Sequence, residues 1–273
     1  MNSLQQEYSS CPLCTGNSSL LLGSADCRSY ANWHEPLPHT LDWMRCSKCN
    51  HVYTRYYWSQ KGLEEVFRNA HLSQLAGEIG TVDAKRITWA PVVGKVLDLL
   101  GGYRSVMSSS HSPTWVDVGC GDGALVMTAG DFGFKALGLD FRDETVSRIQ
   151  KSGFRAQQGD FMSTKFEGKL DVLSMMDVLE HMPFPVSAIN KAAEVIRPGG
   201  VLVISMPDFN CSSWRMMDAA KANPYWMEIE HHHNFSRQRL AILLQENGFT
   251  VADFAIPHRY KAQMEVYAVR VSH

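Results

Sequence analysis

From residue 113 onward, short continuous apolar runs alternate with stretches whose apolar residues return every three or four positions. The runs Trp115–Val118, Ala136–Leu139, Leu170–Met176 and Val201–Ser205 predict buried strands. Helical spacing predicts elements over Asp122–Gly130, Asp143–Lys151 (Val146 and Ile149 inward), Ile189–Ile196 and Gln238–Asn247 (Leu240, Leu243 and Leu244 on one face). Val251–Ile256 and Met264–Arg270 predict two closing strands. Strand and helix in strict alternation predict an α/β fold with helices on both faces of a largely parallel sheet. Upstream, Leu63, Val66, Phe67 and Ala70, then Ile87, Ala90, Val93, Val96, Leu97 and Leu100, predict two or three helices ending near Gly101-Gly102. Ser105–Pro113 reads as a polar linker. The first sixty residues carry Trp33, Leu37, Leu41 and Trp43, enough for a small β-rich subdomain with a strand over Leu41–Arg45. The expected divisions are residues 1–60, 61–112 and 113–273, with an irregular insertion at about 206–235.

Composition narrows this only a little. The chain has 273 residues, 45% hydrophobic and 20% charged, with a formal charge of -2. That balance gives no general reason to expect a polyanionic partner. No apolar run approaches the roughly 20 residues of a membrane span. The N-terminus, MNSLQQEYSS, has neither a basic segment nor an apolar core, so a cytoplasmic protein is expected. Cysteine usage says more. Seven cysteines in a large α/β chain argue against a disulfide scaffold. Four of them form two C-x-x-C turns, Cys11–Cys14 and Cys46–Cys49, with Gly16 or Asn50 available for a positive φ. Two such knuckles can surround one tetrahedral Zn²⁺, and four thiolates leave no open position, so the expected zinc is structural. Unrelated free thiols and a redox pair are the alternatives. Cys27 reads as a small buried residue, and Tyr53–Trp58 as the stretch that touches both modules.

Chemistry concentrates at W-V-D-V-G-C-G-D-G, Trp115–Gly123. A strand runs into Asp117 and then Gly119, Cys120 and Gly121. The second strand ends in Asp140 and Phe141. Glycines permit a tight turn and close approach of a ligand to backbone, and the helix behind them offers unpaired N–H groups. An acid after the second strand can accept from a ribose diol. This pattern resembles the class I S-adenosylmethionine-dependent methyltransferases rather than the nicotinamide dehydrogenases, whose turn reads G-x-G-x-x-G. The resemblance implies a Rossmann-like seven-stranded sheet, its seventh strand antiparallel, with preceding helices covering the cofactor cleft. It places the methionine part of the cofactor at the glycine turn and the ribose on Asp140.

The later motifs fit the same family. Asp160 and Phe161 follow the third strand, where the family's acid meets the adenine amino group and its neighbour stacks on the ring; a capped turn is the plainer reading. Met176 and Asp177 open D-V-L-E-H, a variant of the family's fourth motif, and should border the methionine end. His181 in that motif either approaches substrate or caps the next helix. R-P-G-G at Arg197–Gly200 is the expected stop before strand five. The 206–235 insertion is rich in methionine and aromatic residues and ends in Glu230-His231-His232-His233-Asn234-Phe235-Ser236, Ser236 being a helix N-cap. The three histidines should point apart rather than bind one ion. Glu230-His231 is similar to a motif of sugar C-methyltransferases and small-molecule O-methyltransferases, which implies Glu230 orienting His231 as the base. Alternatively, the pair only fixes its loop. Arg259, with His258 and Tyr260, lies in a basic loop that either meets an acidic substrate or faces water.

The expected function is methyl transfer from S-adenosylmethionine to a hydroxyl or activated carbon of a small polar metabolite or sugar, with His231 or His181 as base. The four-cysteine module resembles one found on deoxysugar C-methyltransferases, although the further C-terminal domain usual in those enzymes is not expected here. An RNA base methyltransferase is an alternative, because a zinc module precedes one such family; the acidic balance and the absence of dense Lys/Arg stripes argue against nucleic acid. A non-catalytic cofactor-binding regulator is another, against which stand the intact glycines and Asp140. No membrane partner is expected, and homodimerisation is left open.

Overall fold

The computed structural model describes residues 4–67, 79–108, 112–257, 259 and 262–271; Ala70, His258 and Tyr260 lie outside them. The central element is a seven-stranded sheet in the order β12-β13-β10-β9-β6-β7-β8. Its strands are β6 (Thr114–Val118), β7 (Lys135–Asp140), β8 (Ala156–Gln158), β9 (Leu170–Met176), β10 (Ile196–Pro207), β12 (Phe249–Ala255) and β13 (Gln263–Arg270). β6 is parallel to β7 and β9, and β9 to β10. β13 runs antiparallel between β10 and β12. The inner strands are buried on both faces, as their unbroken Val/Leu/Met runs require. Leu173, Leu202 and Ile204 belong to one apolar cluster of the sheet, while Trp115, Val172 and Val203 belong to another.

Helices fall where the apolar period changes. α1 spans Gln60–Val66, α2 Ile79–Leu99, α3 Gly102–Ser108, α4 Ala124–Asp131, α5 Asp143–Lys151, α6 Pro185–Val195, α7 Ser212–Ala219 and α8 Arg237–Glu246. Three differ from expectation. Gly101 and Gly102, both at positive φ, mark a break after which α3 resumes, so the residues expected as a linker begin inside a helix. α6 starts at Pro185 rather than Ile189, because a proline at the first helical position lacks only an N–H that would have no partner anyway. α7 forms within the stretch expected to be irregular, with Cys211 Sγ accepting from the Trp214 N–H as its cap. R-P-G-G is an irregularity inside β10 rather than a stop before it. Ile87, assigned inward by spacing, is 75% exposed, whereas Val93, Val96 and Leu97 are buried.

The N-terminal residues build a four-stranded sheet in the order β11-β4-β3-β2, from β2 (Ser19–Asp26), β3 (Thr40–Cys46), β4 (Val52–Thr54) and β11 (His233–Asn234). β1 (Gln5–Glu7) and β5 (Tyr56–Trp58) pair beside it. β11 comes from the 206–235 insertion: His233 pairs with Tyr53, and Asn234 with Val52. Trp43 Nε1 donates to Trp226 O at 2.9 Å, and Trp58 Nε1 to Ile229 O at 3.0 Å. The small module and the insertion therefore share one sheet and one apolar cluster, which contains Trp43, Trp58 and Ile229.

Candidate active site

The glycine turn is the first part of the site. Gly119 and Gly123 sit at φ of 65° and 80°. A Cβ on Gly119 would stand 2.7 Å from Val178 Cγ2, and one on Gly123 would stand 2.6 Å from Ile149 Cγ1, so backbone conformation and space both require glycine. Beyond the turn lies a cavity of about 540 Å³ lined by Gly119, Asp140, Phe141, Asp160, Phe161, Asp177 and His181, with Leu63 and Phe67 of the α1 region across it. Asp140 is 2% exposed. Its carboxylate accepts from the Arg142 guanidinium, with Nε and Nη2 each at 3.0 Å, and from the Gly121 N–H at 3.3 Å. Phe161 is buried, while Phe141 is 52% exposed on the rim. Asp160 both lines the cavity and caps its own turn, accepting from the Ser163 N–H at 3.1 Å. Asp117 is buried on Ser174 Oγ at 2.6 Å; burial pushes its carboxyl up to about 7, against the Ser174 bond and with help from Asp122 and Asp140.

An adjoining chamber of about 590 Å³ shares Gly119, Asp177 and His181 with that cavity and adds Asp117, Cys120, Gly121 and Met176. Its far wall holds Tyr30, Trp89, Glu180, Tyr225, Glu228, Glu230, His231 and Arg259. The predicted residues thus gather around two connected spaces, although not all with the expected partners. Glu230 and His231 make their closest side-chain polar contacts to other residues. Glu230 Oε1 accepts instead from Asn32 Nδ2 at 2.6 Å, and His231 Nε2 pairs with Glu228 Oε2 at 2.9 Å. A turn closed by the His231 N–H donating to Glu228 O at 3.0 Å returns Glu228 to the histidine three residues on. Burial alone would depress His231; the Glu228 carboxylate, backed by Glu180 and Glu230, outweighs it and lifts the imidazole to about 9. Glu180 is 1% exposed, neither of its oxygens has a hydrogen-bond partner, and burial beside Asp177 pushes it up to about 8. His181 Nδ1 bonds Glu230 O at 3.0 Å and its ring packs edge-on to His231, 4.7 Å between centroids.

Sequence reasoning missed Glu228, Glu180 and Arg142. Only Glu180, within D-V-L-E-H, carried a signal. Arg259 turns inward, 3.8 Å over the Trp89 ring and 3.2 Å from Glu265, rather than facing water. Asp177 holds φ at 58°, a strained value for a non-glycine residue, fixed by Ser205 Oγ donating to its carboxylate at 2.9 Å. The three histidines diverge as expected: His231 faces the chamber, His232 approaches Thr54 and His233 bonds His51.

Donor atoms of Cys11, Cys14, Cys46 and Cys49 all lie within 4.8 Å of one another. The pairs Cys11–Cys49 and Cys14–Cys46 are 3.7 and 3.5 Å apart, close to the edge of a tetrahedron with ~2.3 Å Zn–S bonds. Asn50 takes the positive φ expected of it, but in the first knuckle Thr15 does so rather than Gly16, where a Cβ would crowd Cys14 and Cys46 Sγ. Glu180, His181 and His231 form a second set of close donors, in which the His231–Glu228 ion pair competes with any bound cation.

The sheet order, the antiparallel β13 and the glycine turn facing an acid at the end of β7 define the class I S-adenosylmethionine-dependent methyltransferase fold. The family model described as "Methyltransferase domain" matches residues 92–253, and the chain belongs to that family. Among curated proteins it is similar to the ubiquinone biosynthesis O-methyltransferase of Erwinia tasmaniensis, 30% identical over 155 residues, covering 51% of this chain and 64% of that protein. The enzyme of the same name from Escherichia coli is 32% identical over 109 residues, covering 37% and 45%. The matches to these two span less than two thirds of the relatives' length. Among solved structures, the magnesium protoporphyrin IX methyltransferase of Synechocystis with bound SAH superposes with a TM-score of 0.56 at 17% identity, covering 78% of this chain and 100% of that one. Human N-acetylserotonin methyltransferase in complex with SAM gives 0.54 at 18% identity, covering 78% and 60%. No helix among the described residues is long and apolar enough to cross a membrane.

Proposed function

We propose that the protein transfers the methyl group of S-adenosylmethionine to an acidic hydroxyl, of phenol type, on a small polar molecule. The observation that carries this reading is His231 paired with Glu228 in a chamber that opens onto the glycine turn. Gly119, Gly121, Asp117 and Asp140 would hold the cofactor, with Phe141, Asp160, Phe161, Met176 and Asp177 around it. When bound, it supplies a methyl group on a positively charged sulfur. Asp117 and Asp177, both raised by burial, regain their charged forms beside such a cation. With His231 at about 9, roughly one molecule in a hundred carries the neutral base at pH 7. Proton transfer from a phenol of pKa ~10 to such a base is nearly level, whereas an aliphatic hydroxyl lies several units uphill. Tyr30, Trp89 and Tyr225 give the chamber flat apolar walls suited to an aromatic acceptor. The O-methyltransferase relatives agree in reaction type, and this favours oxygen over the carbon and sugar acceptors the sequence also allowed.

In this reading residues 1–60 form a zinc-stapled module that supplies Tyr30 to the acceptor wall, residues 61–112 cover the cofactor, and residues 113–273 carry the transfer machinery. Thiols arranged for a metal suit a reducing, cytoplasmic compartment. The test is turnover of labelled S-adenosylmethionine against paired phenolic and aliphatic alcohol acceptors. Phenols should be methylated, with kcat/KM rising about tenfold per pH unit from 7 towards 9, because the neutral imidazole grows as the proton leaves. Equal use of aliphatic alcohols, or a profile flat over that range, would remove His231 as the base.

A further inference from the structure

A separate cavity of about 360 Å³ lies between the second cysteine knuckle and the first turn of α8, sharing no lining residue with the two spaces above. Arg45 and Arg239 form its walls with His51, Asn234, Ser236 and Gln238; Cys49 of the knuckle also borders it, and no described lining residue is an aspartate or glutamate. The polar groups here lack partners. Arg45 Nε, Arg239 Nε, His51 Nδ1 and both amide atoms of Asn234 are buried without a hydrogen bond. His51 and Asn234 are 1% and 2% exposed. Arg239 Nη2 reaches the exposed Glu246 carboxylate only at 3.5 Å, and the Arg45 cation stands 6.0 Å over Phe209. So many buried unmade bonds in one place, at a cost of ~1–3 kcal/mol each, call for a ligand. The N-terminus of the ten-residue α8, capped by Ser236, adds its own positive potential.

We propose that this cavity is a phosphate-binding site, holding inorganic phosphate or the phosphate group of a small metabolite. Arg45 supplies charge from β3 of the small module's sheet and Arg239 from α8 of the core, and the Asn234 amide donates beside them. His51 Nδ1, buried and unpartnered, belongs to the same group of atoms, while its Nε2 is engaged with His233 Nδ1 at 3.1 Å. Because the two arginines belong to different modules, an anion here braces the module against the core.

The test is calorimetric titration of the zinc-loaded protein with inorganic phosphate. Saturable binding is expected, unchanged when S-adenosylhomocysteine saturates the cofactor cavity. Arg239→Gln should weaken phosphate by about tenfold or more, with zinc content and S-adenosylhomocysteine affinity kept. Asn234→Ala, which leaves both arginines in place, should weaken it by a smaller factor. A phosphate ester that binds more tightly than inorganic phosphate identifies the metabolite as the occupant, whereas equal affinity assigns the free ion. No saturable binding, binding indifferent to Arg239→Gln, or displacement by S-adenosylhomocysteine would each overturn the proposal.

Discussion

The cofactor side and the acceptor side of the cleft are assembled by different means. On the cofactor side, Asp117, Gly119, Gly121 and Asp140 come from one β6–α4–β7 unit, and every link between them closes within about two dozen residues. Gly119 N–H donates to Leu139 O at 2.7 Å, and Gly121 N–H reaches Asp140. On the acceptor side, Asn32 meets Glu230, Trp58 meets Ile229 and Thr54 N–H meets His232 O, each pair separated by well over a hundred residues. A local unit can be specified by a motif. A wall built from two distant segments depends on both being folded first, and here one of them carries four thiols arranged for a metal.

That contrast predicts which perturbations separate the two sides. Chelating the zinc, or Cys46→Ser, should have the largest effect. Turnover should fall below detection as β3, β4 and β11 lose their anchor, while S-adenosylhomocysteine affinity measured by calorimetry changes only a few-fold. Equal loss of both would mean that the halves do not fold independently. Next, His231→Gln or Glu228→Gln should lower kcat by about 10²–10⁴ with cofactor affinity unchanged; the Glu228 variant should also move the kinetic bend below 9, since the largest upward influence on His231 is gone. Glu230→Gln should cost less than Glu228→Gln, and the reverse order would restore the adjacent dyad.

On the opposite side, Gly119→Ala should weaken cofactor binding by about tenfold or more, from a strained positive φ and the contact with Val178, without loss of zinc. The smallest effect belongs to Arg142→Ala. The guanidinium occupies both oxygens of Asp140, the group assigned to the ribose diol, so removing it should tighten S-adenosylhomocysteine by a few-fold. Weaker binding instead would make Arg142 a positioning residue for Asp140.

Within the sequence, the glycine turn, the acid after β7 and the two C-x-x-C knuckles were legible because each is a local device. Positive φ, a strand end and a tight turn leave residue types at fixed short spacing. The apolar runs likewise predicted the inner strands, since a strand covered on both faces admits few other residues. Helix α6 was read four residues short because its proline start resembles a loop, and α7 was missed because its cap is a cysteine.

Tertiary structure decided much of the acceptor side. Asn32, some two hundred residues away, takes Glu230, while the local turn from Glu228 to His231 leaves Glu228 as the carboxylate on the imidazole. The placement of β11 in the zinc module's sheet, the inward turn of Arg259 and the arginine-lined cavity beside α8 follow from the same cause. Each depends on contacts between segments far apart in the chain, and residue spacing carries no record of which distant partner a side chain will meet. The sequence by itself determined the glycine turn and the cysteine knuckles; packing determined the charge on His231, the proposed base, and the walls of the chamber around it.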